Sequence, residues 1–124
     1  MGRRIIVKLS GEALAGGRKD LSFDYRHAGE LTNQIKDIMQ IRNLGLSLVI
    51  GGGNIMRGAA HSDHIGRVKA DQIGMLATLQ NALYMQGSLQ SVGVPAVTMT
   101  PASLCQPRNE KPTLCNCGTF AALP

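Results

Sequence analysis

Aromatic side chains are scarce in this chain: two tyrosines, two phenylalanines and no tryptophan in 124 residues. So few rings leave few stacking platforms and argue against a single-stranded nucleic-acid binder. Charge is thin as well, at 17% of residues, and no basic run is longer than Arg3-Arg4 or Arg18-Lys19. The formal charge of +5 is therefore spread along the chain and favours small anionic ligands over nucleic acid. No hydrophobic run approaches the length of a membrane span. The basic start MGRRIIVKLSGEAL has an apolar run that Lys8 interrupts and that is too short for a secretory signal. Ile6 stands where an N-myristoylation pattern requires Ser or Thr. These absences set the expectation of a cytoplasmic protein with neither membrane nor nucleic acid as a partner. Cysteine is confined to Cys105, Cys115 and Cys117, an odd number without a signal, which argues against structural disulfides. That trio lacks a fourth zinc ligand, and His61 and His64 with Asp63 between them lack further ligands at suitable spacing, so no metal site is expected.

What is present is a globular composition, 44% apolar, with enough chain for one modest core. RIIVKLS at 4–10 reads as a short strand closed by Ser10-Gly11. After a polar loop at 15–24, Leu31, Ile35, Ile38, Met39 and Ile41 fall largely on one helical face, with closure near Gly45. LSLVI at 46–50 is a second strand; from about 67 to 92 Ile73, Leu76, Ala77, Leu83 and Tyr84 repeat at helical spacing with Gly93 as the stop; and PAVTM at 95–99 is a third strand. Alternation of strand and helix predicts βαβ units and a parallel sheet, whose ligands sit at the carboxyl ends of strands. Residues 101–124 hold four of the five prolines and every cysteine and show neither periodicity. They read as an irregular tail.

At the carboxyl end of the second strand stands GGGN, Gly51 to Asn54, with Arg57 beyond it. Three glycines beside an apolar strand sacrifice stability, so the segment is either a flexible turn or a place where ligand meets bare backbone. The standard nucleotide fingerprints do not apply. Gly53 to Gly58 has P-loop spacing, but Ala59 and Ala60 occupy the Lys and Ser/Thr positions, and Met56 breaks G-x-G-x-x-G. An anion-binding concavity with Arg57 as a planar fork for phosphate is the functional reading, and a glycine turn with a solvated arginine is the plain one. Lys8, within an apolar strand, either contacts phosphate or extends from an edge strand into water. Asp71, near the start of the long helix, is either a partner for the helix dipole or an acceptor for a sugar hydroxyl.

Taken together, VKLSGEAL at 7–14, VIGGGNIMRG at 49–58 and ADQIGMLATLQNAL at 70–83 closely resemble the bacterial uridylate (UMP) kinases of the amino acid kinase family in order and spacing. The resemblance covers roughly residues 4–100. It implies a three-layer αβα fold with a mainly parallel sheet, here incomplete, with residues 1–100 as the UMP-binding side and 101–124 as a divergent tail. It also implies transfer of the γ-phosphoryl group of ATP to UMP, with Mg2+, in pyrimidine nucleotide biosynthesis. Lys8 would then be catalytic, and Lys8, Leu9, Ser10, Gly11, Gly53 and Arg57 would bind ATP. Gly52 and Asp71 would bind UMP, and the family implies a homohexamer.

The family pattern fades after Thr100, and three features expected of it are not found: the segment closing over UMP, an acidic residue beside the reacting phosphates, and the half that holds adenine. The loop AGGRKDLSFD also departs from the family sequence in a region tied to regulation by GTP. A truncated or frame-shifted form, inactive alone, is the expectation. The alternatives are a non-catalytic nucleotide-binding fragment or another small-molecule kinase of the same family.

Overall fold

A computed structural model describes residues 3–18, 22–41, 44–56, 63–100 and 119–122. Strand β1 (Arg3–Leu9) leads through the single turn α1 (Gly11–Leu14) to helix α2 (Tyr25–Met39), then β2 (Leu44–Ile50), the long α3 (Arg67–Ser91), β3 (Ala96–Met99) and β4 (Thr119–Ala122). The strand order is β1-β2-β4-β3. β1 pairs parallel with β2, while β4 pairs antiparallel with both β2 and β3. Three of the four strands therefore share one direction.

β2 is the centre of the core because its side chains alternate cleanly. Leu44, Leu46, Leu48 and Ile50 are buried, and Gly45, Ser47 and Val49 between them are half-buried. Leu46, Leu48 and Ile50 pack with Ala28 and Ile35 of α2 and Ala82, Met85 and Leu89 of α3 in one cluster. Both helices thus cover the same face of the sheet, and each buried aliphatic side chain there contributes about 1.5–3 kcal/mol over its exposed state. The register pairs Ile5 with Leu46, Val7 with Leu48 and Leu9 with Ile50, so Arg4, Ile6 and Lys8 lie on the opposite face. No described helix covers that face, and Ile6 is 74% exposed. The fold is α/β, one helical layer on a sheet in which β1, β2 and β3 run parallel and β4 is inserted antiparallel between β2 and β3: an incomplete αβα arrangement. No helix among the described residues is long and apolar enough to cross a membrane.

The helix boundaries follow from capping. Asp24 accepts hydrogen bonds from the N–H groups of Arg26 and His27 at 3.0 and 3.2 Å, fixing the start of α2. Gly93 adopts φ +84°, a left-handed conformation that stops α3 as its position predicts. Gly45 does not close α2. It lies inside β2 opposite Arg4, because pairing with β1 extends that strand to Leu44. Thr119–Ala122 also differ from expectation, since these four residues of the tail form a strand between β2 and β3. So short an apolar run carries no readable periodicity, and its conformation is set by the strand edges available to it. The three cysteines lie outside the described residues.

Candidate functional site

Parallel pairing brings the carboxyl ends of β1 and β2 side by side. The Gly51 N–H donates to the Leu9 carbonyl at 3.0 Å, carrying the ladder one residue past β2. The segment after β1 then meets the segment after β2. A Cβ on Gly11 would stand 2.8 Å from Gly53 N and collide with Asn54 Oδ1. The two motifs singled out in the sequence, Ser10-Gly11 and Gly51 to Asn54, therefore form one strand-end site.

The glycines are there for close approach. No left-handed φ occurs at Gly11, Gly51 or Gly52. A Cβ on Gly52 would lie 2.7 Å from Thr78 N and 2.9 Å from both Gly74 O and Thr78 Oγ1, so α3 backbone occupies the space a side chain would need. Part of the glycine requirement is thus packing of the loop against the helix, a reason the sequence reading did not include.

Each candidate residue now has a place. Lys8 is exposed on edge strand β1, one residue from its end and on the face away from the helices. Leu9 turns its side chain to the core, which leaves only its backbone for the site. Ser10 Oγ accepts from Ala13 N–H at 3.2 Å and caps α1. Asp71 is exposed and pairs with Arg67, whose Nε lies 3.0 and 3.1 Å from its two carboxylate oxygens. At 3.6 residues per turn, Asp71 shares a stripe of α3 with Gly74, Thr78 and Asn81, the residues that meet the glycine loop. Arg57, His61 and Gly58 lie outside the described residues. Asp63 and His64 are exposed, and no group of three or more metal-ligating side chains converges among the described residues.

Sequence reading missed the residue that holds this site together. Asn81, 1% exposed, donates from Nδ2 to the Gly51 carbonyl at 2.8 Å and to Asn54 Oδ1 at 2.7 Å. Asn54 in turn donates to the Ser22 carbonyl and to Asn81 Oδ1. The available signal was an amide within the stretch of α3 that carries Ala77, Ala82, Met85 and Leu89. Beside this network, Ser22, Phe23, Tyr25, Ile55, Gln80, Asn81 and Tyr84 line a cavity of about 300 Å3. Three of the chain's four aromatic rings gather there, with Phe23 edge-on to Tyr84 at 4.2 Å between centroids.

The amino acid kinase family profile matches residues 3–119. Among curated relatives, the uridylate kinase of Phocaeicola vulgatus is 44% identical over 99 residues, covering 79% of this chain and 41% of that protein. That of Mycoplasmopsis pulmonis is 39% identical over 97 residues, covering 77% and 40%. Among solved structures, UMP kinase from Ureaplasma parvum superposes with a TM-score of 0.65 at 32% identity, covering 74% of this chain and 40% of that one. UMP kinase from Bacillus anthracis gives a TM-score of 0.62 at 42% identity, covering 71% and 36%. The chain thus spans about two fifths of the length of the curated relatives it matches. With strand-end motifs, topology and profile in agreement over most of its length, the chain belongs to the amino acid kinase family.

Proposed function

We propose that this chain carries the phosphate-gripping part of a UMP kinase, which transfers the γ-phosphoryl group of ATP to UMP in pyrimidine nucleotide synthesis. The observation that carries this reading is the meeting of Ser10-Gly11 with Gly51 to Asn54 at adjacent parallel strand ends, sealed by the Gly51 to Leu9 hydrogen bond. Ligands of such sheets sit at this place, and the named relatives act on uridylate.

In the proposed reaction a UMP phosphate oxygen attacks the γ-phosphorus of ATP, a bond to that phosphorus forms, and its bond to the bridging oxygen breaks to release ADP. Little covalent work falls to the protein, so positioning and charge compensation dominate. Lys8 is assigned the charge developing on the transferred group. The backbone of Leu9, Ser10, Gly11 and Gly53, with Arg57, is assigned the ATP phosphates. Gly52 and Asp71 are assigned UMP, and binding of its ribose by Asp71 requires the Arg67 pair to open or share the carboxylate. Magnesium is assigned to the Mg-ATP substrate.

A second reading is a nucleotide-binding chain without turnover. Both readings place it in the cytoplasm. Self-association, as a homohexamer or a smaller assembly, is supported by a second apolar stripe on α3, where Val68, Met75, Leu76 and Leu83 are exposed. The test of function is titration with UMP and with Mg-ATP beside an assay of ADP release. Saturable binding of both nucleotides supports the reading, and binding of neither contradicts it.

A further inference from the structure

We infer that Asn81 is a positioning residue which sets the direction of the backbone N–H groups in the glycine loop, and with it the loop's grip on phosphate. This inference rests on the kinase reading above. Asn81 buries an amide among the buried α3 positions Ala77, Ala82 and Met85, which is costly unless every polar atom is paired. All its observed partners belong to the loop: the Gly51 carbonyl, and Asn54 through both donor and acceptor. The neighbouring turn of α3, Gly74 to Thr78, closes on Gly52 from the same stripe. Asn54 passes the restraint on to the Ser22 carbonyl in the segment ahead of α2.

The consequence is geometric. In a trans peptide the C=O and the following N–H point in opposite directions, and none of the described peptide bonds is cis. With the Gly51 carbonyl held by Asn81, the Gly52 N–H points away from that side chain. The Gly52 carbonyl accepts from Ile55 and Met56 N–H, each at 3.1 Å, so the Gly53 N–H points away from those groups. Gly53 N lies beside Gly11, at the end of β1. Two successive glycine amides are thus oriented by internal hydrogen bonds before any anion arrives, and such preorganised donors are what a phosphate site requires.

The experiment compares the 124-residue chain with Asn81→Asp, Asn81→Leu and Asn54→Ala. Asp keeps the shape but sets an acceptor against two acceptors, Leu removes the pairing, and Asn54→Ala changes a half-buried position that tolerates substitution should the Asn81 variants fail to fold. Met85→Ala, a change in the core cluster shared with β2, controls for lost stability. Calorimetric titration with Mg-ATP and with UMP is combined with amide hydrogen exchange. Expected are roughly tenfold weaker nucleotide binding in the Asn81 variants, a smaller loss in the same direction for Asn54→Ala, and faster exchange at Gly51, Ile55 and Met56, whose N–H groups are hydrogen-bonded at the loop, with Leu46 and Leu48 unchanged. Met85→Ala should keep its affinity. Wild-type affinity in the Asn81 variants, or an equal loss in Met85→Ala, would overturn the inference. Absence of binding in the wild type would instead overturn the kinase reading. The exchange comparison then still decides the role of Asn81, since unchanged exchange in all three loop variants would refute it.

Discussion

Gly52 and Asp71 separate what a residue does for the fold from what it does for a ligand. At Gly52 a methyl group has no room against Thr78 and Gly74 of α3. Gly52→Ala should therefore cost about 1–3 kcal/mol of stability as an overpacked contact, measured by urea unfolding. An unchanged midpoint would show that the loop can move off the helix without penalty. Asp71 is the opposite case. Its pair with Arg67 is exposed on both sides and spans one helical turn, so Asp71→Asn should change stability by less than about 0.5 kcal/mol. If Asp71 receives the ribose of UMP, the same substitution should weaken UMP binding while leaving Mg-ATP binding alone. An equal loss for both nucleotides would move Asp71 out of the UMP site. Neither glycine packing nor the Asn81 clamp was legible in the sequence, because each depends on contacts between segments far apart in the chain, Gly52 with Thr78 and Asn81 with Gly51.

Elements were easier to read than contacts, for a physical reason. The buried strand β2 and helix α2 carry apolar patterns that one period explains, and Gly93 ends α3. But α3 is apolar on more than one face, so Ile73, Leu76 and Leu83, which read as its apolar repeat, are exposed. Four-residue β4 offers no such pattern, and Gly45 reads as a helix stop until its partner Arg4 is known. α3 is the element that carries most of the argument, with one stripe on the core and glycine loop and another turned to solvent. Met85, fully buried in that core, predicts a loss of about 2–5 kcal/mol on Met85→Ala, again read by urea unfolding. A small effect would mean that α3 is loosely packed. The solvent stripe makes a separate prediction: Leu76→Asp should lower the mass seen by light scattering if this side of α3 joins copies of the chain. An unchanged assembly would place the contact elsewhere.

For the whole molecule, the strand ends bring together the backbone assigned to phosphate and one exposed lysine, within a chain that spans about two fifths of the relatives it matches. In-line phosphoryl transfer requires donor, acceptor and metal to be held together. Under the proposed reaction Lys8→Ala should lower ADP release from UMP and Mg-ATP, and an unchanged rate would contradict the role assigned to Lys8. Where nucleotide phosphate binds is measured by amide chemical-shift mapping during titration of the chain with UMP and with Mg-ATP. The proposed phosphate site predicts saturable shifts at Ser10, Gly11 and Gly51 to Gly53 that weaken in Lys8→Ala. Saturating shifts confined to the cavity of Phe23, Tyr25 and Tyr84, or no shifts at all, would contradict it.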